Sequence, residues 1–191
     1  MKKFLLLLAL FFGFLTAVNA ETNRIISGNQ NAKIVILAYE SLTCSHCADF
    51  HKNVYPQLKK DYIDTGLAKI EFRHFPLDAA AFNASKIIQC KHDQGMEILE
   101  SLYSNQQAWI KGNTIEQVNN NLQKFIEKEG FQVNFEKCIN NKKIEEFVLN
   151  DRIEGVKNFK VNATPTIIIN DKKFEKSLNY KNLKETLEKL I

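Results

Sequence analysis

The chain has 191 residues, of which 45% are hydrophobic and 25% are charged, and this length fits one domain with room for an insertion. With only 7 Gly and 3 Pro, the composition excludes a collagen-like, low-complexity or wholly disordered chain. The net charge of +4 comes from scattered basic and acidic residues, which argues against nucleic acid as a partner.

The first twenty residues have the pattern of a secretory signal peptide. Lys2 and Lys3 precede an apolar run over residues 4–18, and Ala20 follows at a position that a signal peptidase reads. We therefore predict a signal peptide over residues 1–20 and a mature protein exported to the periplasm. An uncleaved membrane anchor is the alternative, although this run of fifteen residues is shorter than the ~20 that a spanning helix needs.

The segment after the predicted cleavage site begins with a polar stretch, residues 21–32, which we interpret as a loose arm. Residues 34–39 form a nearly continuous apolar run with β-branched side chains, which predicts a buried strand. From Cys44 to Tyr62 the apolar residues recur at helical spacing, which predicts a helix that is kinked at Pro56. Residues 67–75 alternate as a second strand.

The middle of the chain shows only helical patterns. Four segments carry apolar residues at helical spacing with glycines near their ends, at residues 79–96, 97–110, 115–129 and 135–155. A short apolar strand, a hairpin turn at Asn170-Asp171, a partner strand and a terminal amphipathic helix follow.

This order of elements predicts an α/β fold in which a mixed sheet carries an inserted helical domain. The sheet domain is assigned to residues 33–78 and 156–191, and the all-helical insertion to residues 79–155.

The four cysteines, Cys44, Cys47, Cys90 and Cys138, all follow the predicted cleavage site. In exported proteins an even number of cysteines usually pairs, and four allow three connectivities. The C-x-x-C spacing of Cys44 and Cys47 favours local pairing, which leaves Cys90 to pair with Cys138. Two free buried thiols at Cys90 and Cys138 are the alternative, because cysteine also packs as a small apolar residue.

The C-x-x-C lies where the first predicted strand is followed by a helix. The unpaired N–H groups and the positive end of a helix N-terminus stabilise a thiolate on the first cysteine, Cys44. Such a thiolate is both a nucleophile and a good leaving group. Cys47, deeper in the helix, is placed to attack a mixed disulfide formed by Cys44. We predict that His46, between them, stabilises the Cys44 thiolate because it can carry charge or donate a hydrogen bond.

Other interpretations of these residues stay open. Cys44 and Cys47 form an inert bridge in one of them, and in another they bind zinc or copper together with His46 or His51. A structural zinc site usually takes ligands from a second C-x-x-C or from an H-x-x-x-H, and this sequence has neither. We interpret His51 and His74 as ordinary core or surface histidines.

Motifs in several parts of the sequence match one known family in residue type and order. They are Glu40-Ser41-Leu42-Thr43-Cys44-Ser45-His46-Cys47 with Phe50-His51, Phe75-Pro76-Leu77-Asp78, Gln89-Cys90, Asp93-Gln94-Gly95, Gln106-Gln107-Ala108-Trp109, Gly155-Val156 and Ala163-Thr164-Pro165-Thr166-Ile167. With these motifs the sequence resembles the DsbA-like thiol:disulfide oxidoreductases over nearly the whole mature chain.

The resemblance implies a thioredoxin-like fold with a helical insertion and dithiol–disulfide exchange with exported proteins that are folding. It implies a cis Pro165 that faces Cys44, with Ser45, Thr164 and Pro165 at the substrate site. It also implies a structural Cys90–Cys138 bridge, as in a subgroup of the family, and a DsbB-like membrane protein as reoxidant. We expect a monomer that uses no cofactor and no metal.

Two departures from the best-known members stand out. Ser45 replaces a proline, which is expected to alter the redox poise. Ala38 stands where those members carry a buried acid, which puts a proton relay from that position in question. A disulfide isomerase or reductase on the same fold is the main alternative function, and a metal-handling binding module is a less favoured one.

Overall fold

The computed structural model describes residues 23–191, so the predicted signal peptide lies outside the described residues. A mixed sheet forms the centre of the fold, and a block of helices is inserted between its third and fourth strands. The predicted α/β class with a helical insertion is confirmed. Within residues 23–191, no helix is both long enough and apolar enough to cross a membrane.

The sheet contains five strands in the order β1-β3-β2-β4-β5. Their bounds are β1 Ile25–Gly28, β2 Ile34–Glu40, β3 Ala68–His74, β4 Thr166–Ile169 and β5 Lys172–Lys173. Strands β2 and β3 are parallel, whereas the β1–β3, β2–β4 and β4–β5 pairs are antiparallel. Because β2 and β3 run in the same direction, their carboxyl ends lie side by side at one edge of the sheet.

The prediction of a loose arm over residues 21–32 is wrong at β1. Ile25 pairs with Phe72 of β3 and is only 5% exposed, so this short segment both extends the sheet and contributes to the core. Gly28 ends the strand with φ +106, where a Cβ would lie 2.8 Å from the carbonyl oxygen of Ala68. The close approach of β1 to β3 therefore requires glycine at this position.

Nine helices are found in residues 23–191 besides short 3₁₀ and π turns. Their bounds are α1 Ser45–Asn53, α2 Tyr55–Leu58, α3 Ala79–Cys90, α4 Gly95–Ser104, α5 Gln106–Trp109, α6 Ile115–Lys128, α7 Phe135–Ile139, α8 Lys142–Phe159 and α9 Tyr180–Leu187. The helix predicted from Cys44 to Tyr62 is interrupted at Val54, and Pro56 lies in the first turn of α2. A proline is tolerated there because the N–H groups of a first helical turn have no partner within the helix.

Strand β2 is buried on both faces, and its successive side chains enter two different cores. Ile36 and Ala38 belong to the larger core, whereas Leu37 and Tyr39 belong to the smaller one. Helix α8 lies against the smaller core, and a Cβ on its Gly155 would come 2.7 Å from the Tyr39 ring. This double burial explains the nearly continuous apolar run in the sequence.

Helix α8 is joined to the end of β3 by a buried carboxylate. Asp151 is 1% exposed and accepts hydrogen bonds from Arg73 Nη1 at 2.8 Å and from the His74 main-chain N–H at 3.0 Å. Arg24, just before β1, forms a further ion pair with Asp151. These contacts fix the helical insertion to the sheet next to the edge where β2 and β3 end.

Candidate active site

Cys44 lies at the N-cap of α1, after the turn that follows β2. Its backbone is extended, with φ −77 and ψ 120, and its carbonyl accepts the first helical hydrogen bond, from the Ala48 N–H at 3.2 Å. The N-cap position places its sulfur beside N–H groups that lack a partner within the helix. Cys44 is partly exposed, whereas Cys47 is fully buried, and both are free thiols in this structure.

The two thiols have opposite acid strengths. Hydrogen bonding to Cys47 is the main cause that lowers the pKa of Cys44 to about 5, with smaller contributions from Thr164 and from the N–H groups of Cys47 and His46. Burial raises the pKa of Cys47, and its hydrogen bond to Cys44 and the charge of Glu40 raise it further. At neutral pH, Cys44 is therefore a thiolate and Cys47 a thiol.

The residues Thr164 and Pro165 lie next to Cys44, although they are far from it in the sequence. The Cys44 Sγ lies 3.3 Å from the carbonyl oxygen of Thr164, and the Thr164–Pro165 peptide bond is cis. Both residues line a cavity of about 240 Å³ together with His46. The structure thus brings the expected substrate-binding pair and His46 to one opening beside the partly exposed thiol.

Ser45, also expected at the substrate site, lines a different cavity of about 440 Å³. That cavity lies along the opposite flank of α1 and is also lined by His51, Lys52 and Tyr103. The two exposed residues between the cysteines therefore point towards different openings, with His46 on the side of Pro165 and Ser45 on the side of the helical insertion.

Glu40 and His51 form a buried pair that the sequence reasoning did not assign. Glu40 Oε2 lies 2.9 Å from His51 Nε2, and the two side chains are 4% and 6% exposed. The Tyr103 ring stacks on the His51 ring at a centroid distance of 4.3 Å. Burial and the neighbouring Glu40 carboxylate raise the pKa of Tyr103 well above its usual range. The charge of Glu40 also raises the pKa of Cys47, so a carboxylate does act on this thiol, from a position two residues after Ala38.

A signal for this pair exists in the sequence. Ala38 and Glu40 are two residues apart and so lie on the same face of β2. His51 follows Cys47 by four residues and so lies on the same side of α1. His51 is thus a buried histidine paired with Glu40. His74 is a core histidine whose pKa burial lowers to about 4.

The other two cysteines lie in the helical insertion. A disulfide joins Cys90, the last residue of α3, to Cys138 in α7, with a Cα–Cα distance of 5.5 Å. Cys138 is 3% exposed and Cys90 lies at the edge of the same core. Among residues 23–191, no group of three or more His, Cys, Asp or Glu side chains is arranged to hold a metal ion.

The sheet, the helical insertion and the two unequal thiols at a helix N-terminus are the features of a thioredoxin-type redox protein. A family model described as Thioredoxin matches residues 20–189. The chain belongs to the thioredoxin family, and within it to the DsbA-like proteins.

Solved structures support this assignment. The crystal structure of α-DsbA1 from Wolbachia pipientis superposes with a TM-score of 0.77 at 30% identity, covering 88% of this chain and 90% of that chain. Oxidised BdbD from Bacillus subtilis gives a TM-score of 0.72 at 23% identity, covering 87% and 91%. At the lower identity, the likeness to BdbD shows the fold alone.

Curated proteins of similar sequence have names that refer to protein disulfides. A putative protein-disulfide oxidoreductase of Rickettsia bellii is 27% identical over 161 residues, which are 82% of this chain and 61% of that protein. Disulfide bond formation protein D of Bacillus subtilis is 26% identical over 175 residues, which are 86% of this chain and 75% of that protein. The chain spans only 54% to 62% of the length of the Rickettsia relatives that it matches.

Proposed function

We propose that this protein is an exported thiol:disulfide oxidoreductase that introduces disulfides into folding secreted proteins through Cys44 and Cys47. The observation that carries the proposal is the opposite displacement of the two thiol pKa values, to about 5 for Cys44 and upwards for Cys47. A stabilised thiolate favours the reduced enzyme and so makes its disulfide form a stronger oxidant.

In the proposed reaction, the enzyme begins with a Cys44–Cys47 disulfide. A substrate thiolate attacks Cys44 Sγ, the bond to Cys47 breaks, and Cys47 leaves as a thiolate that takes up a proton. A second substrate thiolate then attacks the substrate sulfur of the mixed disulfide, and Cys44 leaves as a stabilised thiolate. The substrate has lost two electrons and gained a disulfide, and the enzyme holds a thiolate and a thiol.

The pair Glu40 and His51 is placed to assist the proton uptake of Cys47 in this reaction. The Glu40 carboxylate acts on the pKa of Cys47, and its buried partner His51 belongs to α1, one helical turn after Cys47. Because Cys47 itself is fully buried, a proton that reaches it has to come through neighbouring side chains or from the substrate. We assign Glu40 and His51 to this relay, in place of an acid at the Ala38 position.

The substrate is proposed to lie over the cavity lined by His46, Thr164 and Pro165. That cavity of about 240 Å³ has room for a side chain flanking the substrate cysteine, and the Thr164 carbonyl beside Cys44 is an acceptor for a substrate N–H. Ser45, on the other flank of α1, is proposed to contact the opposite side of the same substrate.

Export, reoxidation and oligomeric state complete the proposal. The signal-peptide pattern over residues 1–20 supports a periplasmic protein. After each reaction the reduced Cys44 and Cys47 must be reoxidised, and the resemblance to the DsbA-like proteins supports a quinone-linked DsbB-like membrane protein as the proposed reoxidant. We propose that the protein acts as a monomer.

The proposed function is tested by an equilibrium redox titration of the mature protein against glutathione, together with oxidation of reduced, unfolded ribonuclease A. We expect a potential closer to the DsbA value of about −120 mV than to the thioredoxin value of about −270 mV. A double variant, Cys44→Ser with Cys47→Ser, is the control for the oxidation assay. A potential near that of thioredoxin would instead identify a reductase.

His46 is expected to add to the stabilisation of the Cys44 thiolate through its side chain as well as through its main-chain N–H. His46→Ala should raise the pKa of Cys44 and make the disulfide less oxidising, because a group that can carry positive charge is removed from beside the thiolate. Thiolate absorbance as a function of pH measures the effect. His92→Ala, an exposed histidine of the insertion, is the matched control. An unchanged titration for His46→Ala would remove its imidazole from the mechanism.

A further inference from the structure

Gln106, the first residue of α5 in the helical insertion, contacts the main chain of the active-site turn. Its Nε2 donates one hydrogen bond to the Leu42 carbonyl at 2.8 Å and another to the Cys44 carbonyl at 3.0 Å. The side chain is 8% exposed. Both hydrogens of the Gln106 side-chain amide therefore bond to main-chain carbonyls of residues that lie 64 and 62 positions earlier in the sequence.

The position of Gln106 is fixed by the packing of the insertion. Trp109, in the same short helix, is fully buried in the larger core, and its Nε1 donates to the Leu102 carbonyl of α4 at 3.0 Å. A buried indole with its donor satisfied has little rotational freedom. The packing of Trp109 therefore fixes the position of Gln106, and the two hydrogen bonds of Gln106 fix the active-site turn to the helical insertion.

These bonds orient two peptide groups of the active-site turn, Leu42–Thr43 and Cys44–Ser45. The turn is closed by the Cys44 N–H bonding to the Ser41 carbonyl at 3.0 Å, and the Cys44 carbonyl also accepts from Ala48. The Leu42 and Cys44 carbonyl oxygens, which are the negative ends of their peptide dipoles, both accept hydrogen bonds from Gln106. The N–H groups of His46 and Cys47, which belong to the same turn, add to the hydrogen bond from the Cys47 side chain in lowering the pKa of Cys44.

We propose that Gln106 is a positioning residue for thiol–disulfide exchange, through which the helical insertion sets the stability of the Cys44 thiolate. Without its two donors, the Leu42 and Cys44 carbonyls are buried with fewer partners, and the turn relaxes towards other acceptors and donors. The role of Gln106 in thiol–disulfide exchange rests on the proposed function. Its effect on the Cys44 thiolate does not, because that effect is measured directly.

The test is the variant Gln106→Met, which keeps the length of the side chain and removes both donors without adding charge. We expect the acid dissociation constant of Cys44, measured by thiolate absorbance, to fall by about tenfold. The equilibrium constant with glutathione should shift in the same direction, towards a less oxidising disulfide. Gln106→Asn, which keeps the amide but is too short to reach both carbonyls, should shift the pKa of Cys44 the same way and serves if the Met variant does not fold.

Two glutamines of the insertion provide controls. Gln89 is 2% exposed, and its Nε2 donates to the Asn23 carbonyl at 2.8 Å, outside the active-site turn. Gln107 is the exposed neighbour of Gln106. Gln89→Met and Gln107→Met should leave the pKa of Cys44 unchanged. Equal shifts in the Gln89 and Gln106 variants, or a folded Gln106→Met with an unchanged titration, would overturn the proposal. A wild type that fails to oxidise ribonuclease would end the proposed function and leave this assignment standing.

Discussion

Cys47→Ser is expected to accumulate covalent mixed disulfides with substrate proteins, whereas Cys44→Ser is expected to form none. Cys44 is the partly exposed sulfur at the helix N-terminus, and its lowered pKa makes it the attacking and the attacked group. Cys47 is fully buried, so substrate sulfurs do not reach it. Removing Cys47 deletes the intramolecular thiol that releases a stalled substrate. The trapped species are detected on non-reducing gels of extracts from cells that express and export the variant, and they are identified by mass spectrometry.

The pH profile of the trapping variant gives an independent readout. In Cys47→Ser a hydroxyl replaces the thiol that hydrogen-bonds to Cys44, which is the largest cause of the lowered pKa. Alkylation of Cys44 should therefore stay fast at neutral pH and decline only as the pH falls through a value near 5, because the thiolate is then protonated. Cys47→Ala, which lacks the donor, is the matched control and should decline at a higher pH. Trapping by Cys44→Ser instead of Cys47→Ser would reverse the assignment of the two cysteines.

The parts of the fold that the sequence predicted well are those with a strong local pattern. The apolar run of β2 and the change to helical spacing after it placed Cys44 at a strand-to-helix junction, and the structure has α1 begin at Ser45. Strand β1 has no such pattern, because it contributes few apolar residues and is stabilised by pairing with β3 more than forty positions along the chain. Its existence depends on a partner that periodicity does not reveal.

The residues of the site divide in the same way. The roles of Cys44 and Cys47 follow from their spacing and from the physics of a helix N-terminus. Glu40 could not be assigned from the strand alone, because its proximity to Cys47 depends on how α1 crosses the end of β2. Gln106 is a stronger case, since its two acceptors belong to a turn that lies more than sixty residues earlier. A contact between residues that are far apart in the sequence leaves no periodic pattern in either segment. In the sequence, Gln106 was therefore visible only as part of a family motif, and its role was not.

Removal of the Cys90–Cys138 bridge is expected to lower the free energy of unfolding by about 4 kcal/mol, the chain-entropy value for a closed loop of this size. The bridge spans 48 positions and ties the end of α3 to α7. Without it, the unfolded chain regains the freedom that this loop had lost. Urea unfolding of the variant Cys90→Ala with Cys138→Ala, compared with wild type while Cys44 and Cys47 are kept reduced, measures the difference.

The fully reduced wild type is the control for this effect, because its loop is open and no side chain has been truncated. A loss of unfolding free energy that the variant and the reduced wild type share is due to the missing bridge. A loss seen only in the variant is due to altered packing around Cys138, which is 3% exposed. The same burial slows attack by an external thiolate. Limited dithiothreitol should therefore open Cys44–Cys47 first and leave the Cys90 and Cys138 peptides linked in the mass spectrum. Reduction of both bridges at the same rate, or a stability change below about 1 kcal/mol, would show that the Cys90–Cys138 bridge is not structural.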